Sequence, residues 1–66
     1  MKLWVNGEER SIEGAASVAA LVAVLGLDGR KVAVERNLEI VPRSTYGAVV
    51  LSAGDAIEIV NFVGGG

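Results

Sequence analysis

The fold is decided by the stretch SVAALVAVLGL, residues 17–27, where the spacing of apolar residues changes to that of a helix. Its larger apolar side chains recur at i, i+3, i+4 and i+7, on one helical face: Val18, Leu21, Val22 and Leu25. Ser17 stands where an N-cap belongs, and Gly26 where a left-handed residue ends a helix. The pattern predicts one helix of about two to three turns, with Leu27 making the apolar contact that accompanies such an end.

The residues before this helix, MKLWVNGEERSIEG, indicate a β-hairpin. Side chains alternate through the first strand, so that one face takes Met1, Leu3 and Val5. The dipeptide Asn6-Gly7 is the one best suited to the positive φ angles of a type I′ turn. We therefore expect residues 10–13 to return beside the first strand, with Ile12 opposite Met1.

The residues after the helix return to strand spacing. KVAVERN, residues 31–37, would turn Val32 and Val34 to the core. In EIVPR, residues 39–43, Pro42 confines a short extended piece to an edge or an end of the sheet. A turn at residues 53–55 then leads into a last strand with Ile57 and Ile59 on one face. The predicted order is ββαβ, a short irregular piece, and β.

A single helix covers one face of a sheet only, so this order predicts an α+β protein with a mixed four- to five-stranded sheet. The order is compatible with a β-grasp, although spacing alone leaves the topology open. With 52% hydrophobic and 21% charged residues, the chain is too apolar for a disordered protein. We expect one folded domain, residues 1–63, and a flexible tail of glycines, residues 64–66.

The composition argues against several classes of partner. The net charge is −2, and the six basic residues are scattered rather than arranged in a stripe: Lys2, Arg10, Arg30, Lys31, Arg36 and Arg43. We therefore expect no nucleic acid partner, and we interpret Arg30-Lys31 as a solvated pair at a strand entrance. No apolar run approaches the roughly 20 residues of a membrane span, and no signal-peptide pattern opens the sequence. A small domain without cysteine is expected in the cytoplasm.

The residue types for catalysis are also missing. The sequence has no His and no Cys, which removes common nucleophiles, bases and metal ligands. Glu8 and Glu9 are adjacent on a strand and point to opposite faces, so they are poorly placed as an acid–base pair. Tyr46 and its two hydroxyl neighbours have no obvious partner base, and Gly54-Asp55 is typical of a turn. We expect neither catalytic residues nor a metal site within this chain.

The closing residues, NFVGGG, point to another kind of function. A glycine run can pass through a channel too narrow for other residues, and residues 63–66 reach about 13 Å when extended. The Gly66 α-carboxylate is ionised at neutral pH because such groups have a pKa of about 3.5. We interpret the segment as a substrate arm that enters the site of another protein. The alternative is a linker of no function.

Four side chains are candidates for contacts with a partner. Trp4 lies opposite the core-facing stripe of its strand, so it is either a half-buried residue on the outer face of the sheet or an interface contact. Arg36 and Arg43 mark a second region that could dock a partner. Phe62 precedes the tail and completes the set.

Two segments of the sequence resemble the ThiS family of sulfur carrier proteins. They are VAVERNLEIVPRSTY, residues 32–46, and GDAIEIVNFVGGG, residues 54–66, and the opening VNGEE extends the resemblance over nearly the whole chain. A diglycine end alone would be weak, because ubiquitin and the molybdopterin-synthase sulfur carrier share it. One departure is Leu38, where a glycine commonly follows the asparagine, and it puts the geometry of that turn in question.

The resemblance implies a ubiquitin-like β-grasp that carries sulfur on its last residue. A partner adenylyltransferase would activate the Gly66 carboxylate with MgATP, and sulfur from a cysteine desulfurase would convert it to a thiocarboxylate. Thiazole synthase would accept that sulfur for thiamin. Gly66 is then the modified residue, and Val63, Gly64 and Gly65 form the arm that partners take in. No cofactor is expected to bind the carrier itself.

Other interpretations of the sequence remain. One is a carrier for another acceptor, such as molybdopterin, or a protein modifier activated in the same way. Another is a β-grasp interaction module whose terminal glycines have no role. An engineered or idealised descendant of the family would also suit the helix, which is rich in Ala and Val.

Overall fold

A computed structural model describes residues 1–62 of the chain. It contains five strands and one α-helix: β1 (Lys2–Val5), β2 (Glu8–Ser11), α1 (Val18–Val24), β3 (Val32–Arg36), β4 (Glu39–Val41) and β5 (Ala56–Asn61). Two short 3-10 helices, Gly29–Lys31 and Arg43–Thr45, precede β3 and follow β4. The predicted order of elements is confirmed, and the short extended piece is a strand.

The five strands form one mixed sheet in the order β2-β1-β5-β3-β4. β5 is central, with β1 parallel on one side and β3 antiparallel on the other. The hairpins β1–β2 and β3–β4 form the two sides of the sheet, so that β2 and β4 are its edge strands. Hydrogen bonds fix the register of all four neighbouring pairs. β4 is an edge strand that ends before Pro42, as the missing N–H of proline requires.

The first hairpin has the predicted turn. Asn6 and Gly7 adopt φ angles of 51° and 81°, the signs that a type I′ turn requires. Met1 and Ile12 exchange hydrogen bonds of 2.9 and 2.8 Å, so the predicted pairing is confirmed. The returning strand was wrongly expected at residues 10–13: it is Glu8–Ser11, because a two-residue turn already pairs Val5 with the first residue after it.

The helix begins and ends at the predicted caps. The Ser17 hydroxyl accepts a hydrogen bond of 3.1 Å from the Ala20 N–H. At the other end, Gly26 takes a φ of 76°, and the N–H groups of Gly26 and Leu27 donate to the carbonyls of Ala23 and Val22. This is the Schellman arrangement, which satisfies carbonyls that a helix end leaves open. The helix spans seven residues, about two turns.

One apolar core joins the helix to one face of the sheet. It is built from the inward residues of β1, β3, β4 and β5, the buried face of α1 and four residues from loops. These residues are Leu3, Val5, Ile12, Ala15, Val18, Leu21, Val22, Val32, Val34, Val41, Tyr46, Leu51, Ile57 and Ile59. Leu25 and Leu27 pack partly buried against this cluster. The opposite face of the sheet carries the alternate residues of each strand, and no helix of residues 1–62 covers it.

The turn between β3 and β4 keeps its shape without the expected glycine. Arg36 pairs with Glu39, so Asn37 and Leu38 form a two-residue turn, with φ angles of 51° and 71°. A positive φ is unfavourable for a leucine because its Cβ crowds the backbone. The Leu38 side chain is 87% exposed and gains little from burial. The departure from the family pattern therefore leaves a strained residue in an otherwise regular hairpin.

Replacing Leu38 with glycine is expected to stabilise the protein by about 1 kcal/mol, because the relief of the positive φ outweighs the greater freedom of glycine in the unfolded chain. Leu38→Ala is the control, since alanine keeps the Cβ and removes only the exposed branch. Urea unfolding of the three proteins measures the effect. A glycine variant no more stable than the alanine variant would contradict the strain at this turn.

The turn is tied to the start of β5 by a buried carboxylate. Asp55 is 7% exposed and accepts hydrogen bonds from Arg36 Nε at 2.8 Å, Asn37 Nδ2 at 3.1 Å and the Ser52 N–H at 2.8 Å. Burial by itself raises the pKa of Asp55, but these hydrogen bonds and the Arg36 charge outweigh it and leave the pKa below its ordinary value. The carboxylate therefore stabilises the fold in its ionised form.

Asp55→Asn is expected to lower the free energy of unfolding by about 2 kcal/mol at neutral pH, since it removes charge-assisted hydrogen bonds at a buried site. A depressed pKa gives stability that is present above the unfolded pKa, near 4, and is lost as the pH falls through the folded pKa. The free energy of unfolding, measured from pH 7 to pH 2, should decrease less in the variant than in the unaltered protein. An equal decrease in both proteins would contradict this role for Asp55.

Candidate functional site

The end of β5 is held in place up to the last described residue. Asn61 pairs with Val32 at the start of β3, and the Phe62 N–H donates to the Lys31 carbonyl at 2.8 Å. The predicted tail, Val63 to Gly66, lies outside the described residues. The chain therefore enters that segment from a fixed point at one end of the sheet.

Arg43 contacts Phe62 and two backbone carbonyls near it. Its Nε donates to the Gly29 carbonyl at 3.1 Å, and its Nη2 donates to the Val32 carbonyl at 3.4 Å. The guanidinium carbon also lies 5.9 Å from the centre of the Phe62 ring, within the range of a cation–π contact. One arginine thus joins the two 3-10 helices to the residue that precedes the tail.

Two more basic residues belong to the chain segment whose backbone bonds to Phe62. Arg30 and Lys31 are exposed at the entrance to β3, as expected from the sequence. Arg30 bonds both oxygens of Asp28, and this ion pair lowers the pKa of Asp28 to about 2. We call Arg30, Lys31, Arg43 and Phe62 the tail collar: Arg30 precedes Lys31, whose carbonyl accepts from the Phe62 N–H, and Arg43 lies over the Phe62 ring.

The other two candidate contacts lie at the far end of β5. Trp4 pairs with Ala56 and Arg36 pairs with Ile57, so both are roughly 17–20 Å from Phe62 along the strand. Trp4 is 44% exposed on the outer face of the sheet, whereas Arg36 is engaged by Asp55. The structure brings together Arg43 and Phe62 of the predicted set and separates them from Trp4 and Arg36.

Sequence reasoning missed Lys31 and Arg30 as members of this site. The sequence predicts a solvated pair at a strand entrance, since its basic residues form no stripe, and both residues are exposed there. Their position depends on the antiparallel pairing of β3 with β5, which sets Lys31 beside Phe62. A correct pairing of these strands is the signal that would have found them.

The described residues offer little to a metal ion or a small substrate. Within residues 1–62, no group of three or more acidic side chains is placed to hold a metal ion. A cavity of about 290 Å³ lies between the end of the helix and the sheet, with Arg10 as its charged residue. No helix in this part of the chain is both long and apolar enough to span a membrane.

This fold defines a small β-grasp protein whose central strand ends in the fixed residue Phe62. The chain belongs to the ThiS family, whose profile matches residues 3–66. The crystal structure of the thiamine biosynthesis protein ThiS from Geobacter metallireducens has a TM-score of 0.83 at 36% identity, with 100% of both chains covered.

Two curated relatives extend the comparison. The sulfur carrier protein ThiS of Bacillus subtilis is 40% identical over 97% of this chain and 98% of that protein. The thiazole synthase of Paramagnetospirillum magneticum is 59% identical over the whole chain, which spans 20% of the length of that protein. These matches confirm the predicted family and the predicted β-grasp fold.

Arg43→Ala is expected to increase hydrogen exchange of the Phe62 amide about tenfold, because the two lost hydrogen bonds, one exposed and one long, together contribute about 1.4 kcal/mol to keeping the end of β5 paired. Amides in the middle of β5 should change much less. Lys31→Ala is the control, since it leaves the backbone bond from Phe62 to residue 31 in place. Exchange measured by NMR compares the three proteins. An unchanged Phe62 amide in the arginine variant would show that Arg43 does not clamp this end.

Proposed function

We propose that this chain is the sulfur carrier for the thiazole of thiamin, and that its reactive group is the α-carboxylate of Gly66. The observation that carries the proposal is the family match, because it runs from residue 3 through residue 66 and includes the glycines. The fixed position of Phe62, the residue before the tail, adds a physical reason for this proposal. A partner that grips the folded body finds the glycine segment at a defined place.

The chemistry begins with activation of a poor electrophile. A carboxylate resists attack by a nucleophile, whereas its mixed anhydride with AMP carries a good leaving group. An adenylyltransferase joins a Gly66 oxygen to the α-phosphorus of ATP, as the magnesium complex, and pyrophosphate leaves. A sulfur nucleophile supplied through a cysteine desulfurase then bonds to the carbonyl carbon. AMP departs with the oxygen. When the nucleophile is the outer sulfur of a persulfide, a second thiol of the donor system attacks the donor-side sulfur of the resulting acyl disulfide, so that a disulfide forms on the donor and the thiocarboxylate remains on Gly66.

The chain's own residues serve this sequence by presenting the end rather than by catalysis. With no His or Cys in the sequence, partners supply the bases, the metal and the sulfur. Val63, Gly64 and Gly65 would enter the partner's channel, since glycine has no side chain to exclude. A strand edge of the partner could align their backbone N–H and C=O groups. The cytoplasm is the compartment that we propose for the carrier and these partners.

Thiazole synthase is the acceptor that the comparisons favour. Relatives named thiazole synthase are 59% and 50% identical to this chain across its whole length. A polypeptide that contains both a carrier segment and a synthase is consistent with transfer of sulfur from one to the other. A molybdopterin-type acceptor and a protein-modifier role would appear instead as transfer to a different acceptor in the same assay.

Incubation with MgATP, the adenylyltransferase and the sulfur-donating system is expected to raise the intact mass by the difference between one sulfur and one oxygen. A variant with one serine appended after Gly66 is the matched control, since it keeps the fold and the glycines and moves the carboxylate. The proposal predicts no gain in this variant. Equal conversion of both chains would contradict Gly66 as the reactive residue.

Transfer to the acceptor is measured next. Addition of thiazole synthase to the modified carrier should return its mass to the starting value as sulfur is used. Loss of sulfur only to a molybdopterin-type acceptor would reject the thiazole assignment while leaving the carrier chemistry intact.

A further inference from the structure

We propose that the tail collar is the docking surface for an acidic rim around the tail channel of the adenylyltransferase. This inference rests on the proposed function, in which that enzyme takes in residues 63–66 and modifies Gly66. It adds the part of the folded body that the enzyme contacts and the charge of the enzyme's complementary surface.

The length of the tail forces this contact. Four residues reach about 13 Å even when fully extended. The tail follows Phe62. The Phe62 N–H donates to the Lys31 carbonyl, and the Arg43 guanidinium lies over one side of its ring. An enzyme that draws the Gly66 carboxylate to its ATP therefore brings the mouth of its channel against the collar. A surface at the far end of β5, such as that around Trp4, lies too far away to meet the same mouth.

The charge of the collar is opposite to that of the whole chain. The net charge is −2, yet half of the six basic residues lie in the collar. Asp28 neutralises Arg30. Among residues 1–62, neither Lys31 nor Arg43 has a carboxylate within salt-bridge distance, so these two exposed residues carry positive charges that no acidic side chain pairs. A protein that is negative overall thus presents a positive end where its tail departs.

The collar also has the composition of an interface centre. Phe62 is 49% exposed, and Arg43 is held beside it by its bonds to Gly29 and Val32. Aromatic and arginine side chains are enriched in the parts of interfaces that carry most of the binding energy. Because Arg43 is already fixed, little side-chain entropy remains to be lost on binding. The apolar ring would fill the centre, and the two cations would face an acidic rim.

Opposite charges on two docking surfaces chiefly raise the association rate, and salt weakens that effect. In the proposed sequence of reactions the adenylyltransferase acts on the carrier first, so their encounter is the step that steering would accelerate. The collar is small and the chain is acidic, which disfavours nucleic acid as the occupant.

Lys31→Glu tests the proposal, with Lys2→Glu as its matched control. Both replace an exposed lysine by glutamate, so the net charge changes equally. Lys2 lies beside Gly54, before the start of β5 and far from the tail. The quantity measured is kcat/KM for adenylylation of the carrier, at low and at high salt. Melting temperatures of both variants establish that they are folded.

The Lys31 variant is expected to lose about tenfold in kcat/KM at low ionic strength, and most of that loss should disappear at about 0.5 M salt. The Lys2 variant should remain near the unaltered protein. Equal values for the two variants, whether both unchanged or both reduced, would overturn the collar as a local docking surface. Failure of the unaltered chain to be adenylylated by an active enzyme would instead reject the proposed function, and the collar with it.

Discussion

The central position of β5 is the constraint on which the rest of the structure depends. This strand contributes Ile57 and Ile59 to the core and pairs with β1 on one side and β3 on the other. Asn6 extends the pairing with β1, because its side-chain amide donates to the Ile59 carbonyl and accepts from the Ile59 N–H at 2.7 Å. The Asp55 network anchors the beginning of the strand. Its end is therefore positioned by the whole sheet.

That arrangement separates two tasks within a very small protein. The body supplies rigidity, since its core, caps and turns all fix where β5 ends. In the proposed function the reacting group belongs to Gly66, beyond the described residues, so that a partner would reach it without unfolding the body. Under the proposed function, a chain with no His and no Cys would take part in demanding chemistry by contributing position and an ionised carboxylate. The tail collar links the two tasks at the point where they meet.

Local patterns in the sequence predicted most of the elements and little of their arrangement in space. The helix followed from its period and its caps at Ser17 and Gly26, and the first turn followed from Asn6-Gly7. These signals depend on neighbours within a few residues. The partner of Arg36, the buried Asp55, is 19 residues away, and the collar joins three separate segments. Such contacts arise from strand order, which hydrophobic spacing does not encode.

The central claim of the proposed function is that this protein reacts only through the carboxylate of Gly66, in the segment that follows the fixed residue Phe62. The most direct measurement is fragmentation of the sulfur-modified chain by tandem mass spectrometry, together with the same treatment of a chain that lacks Gly66. The account predicts that every fragment carrying the extra mass contains Gly66, and that the shortened chain is not modified at its new end at a comparable rate. Sulfur located elsewhere in the chain, or equal modification of the shortened chain, would contradict it.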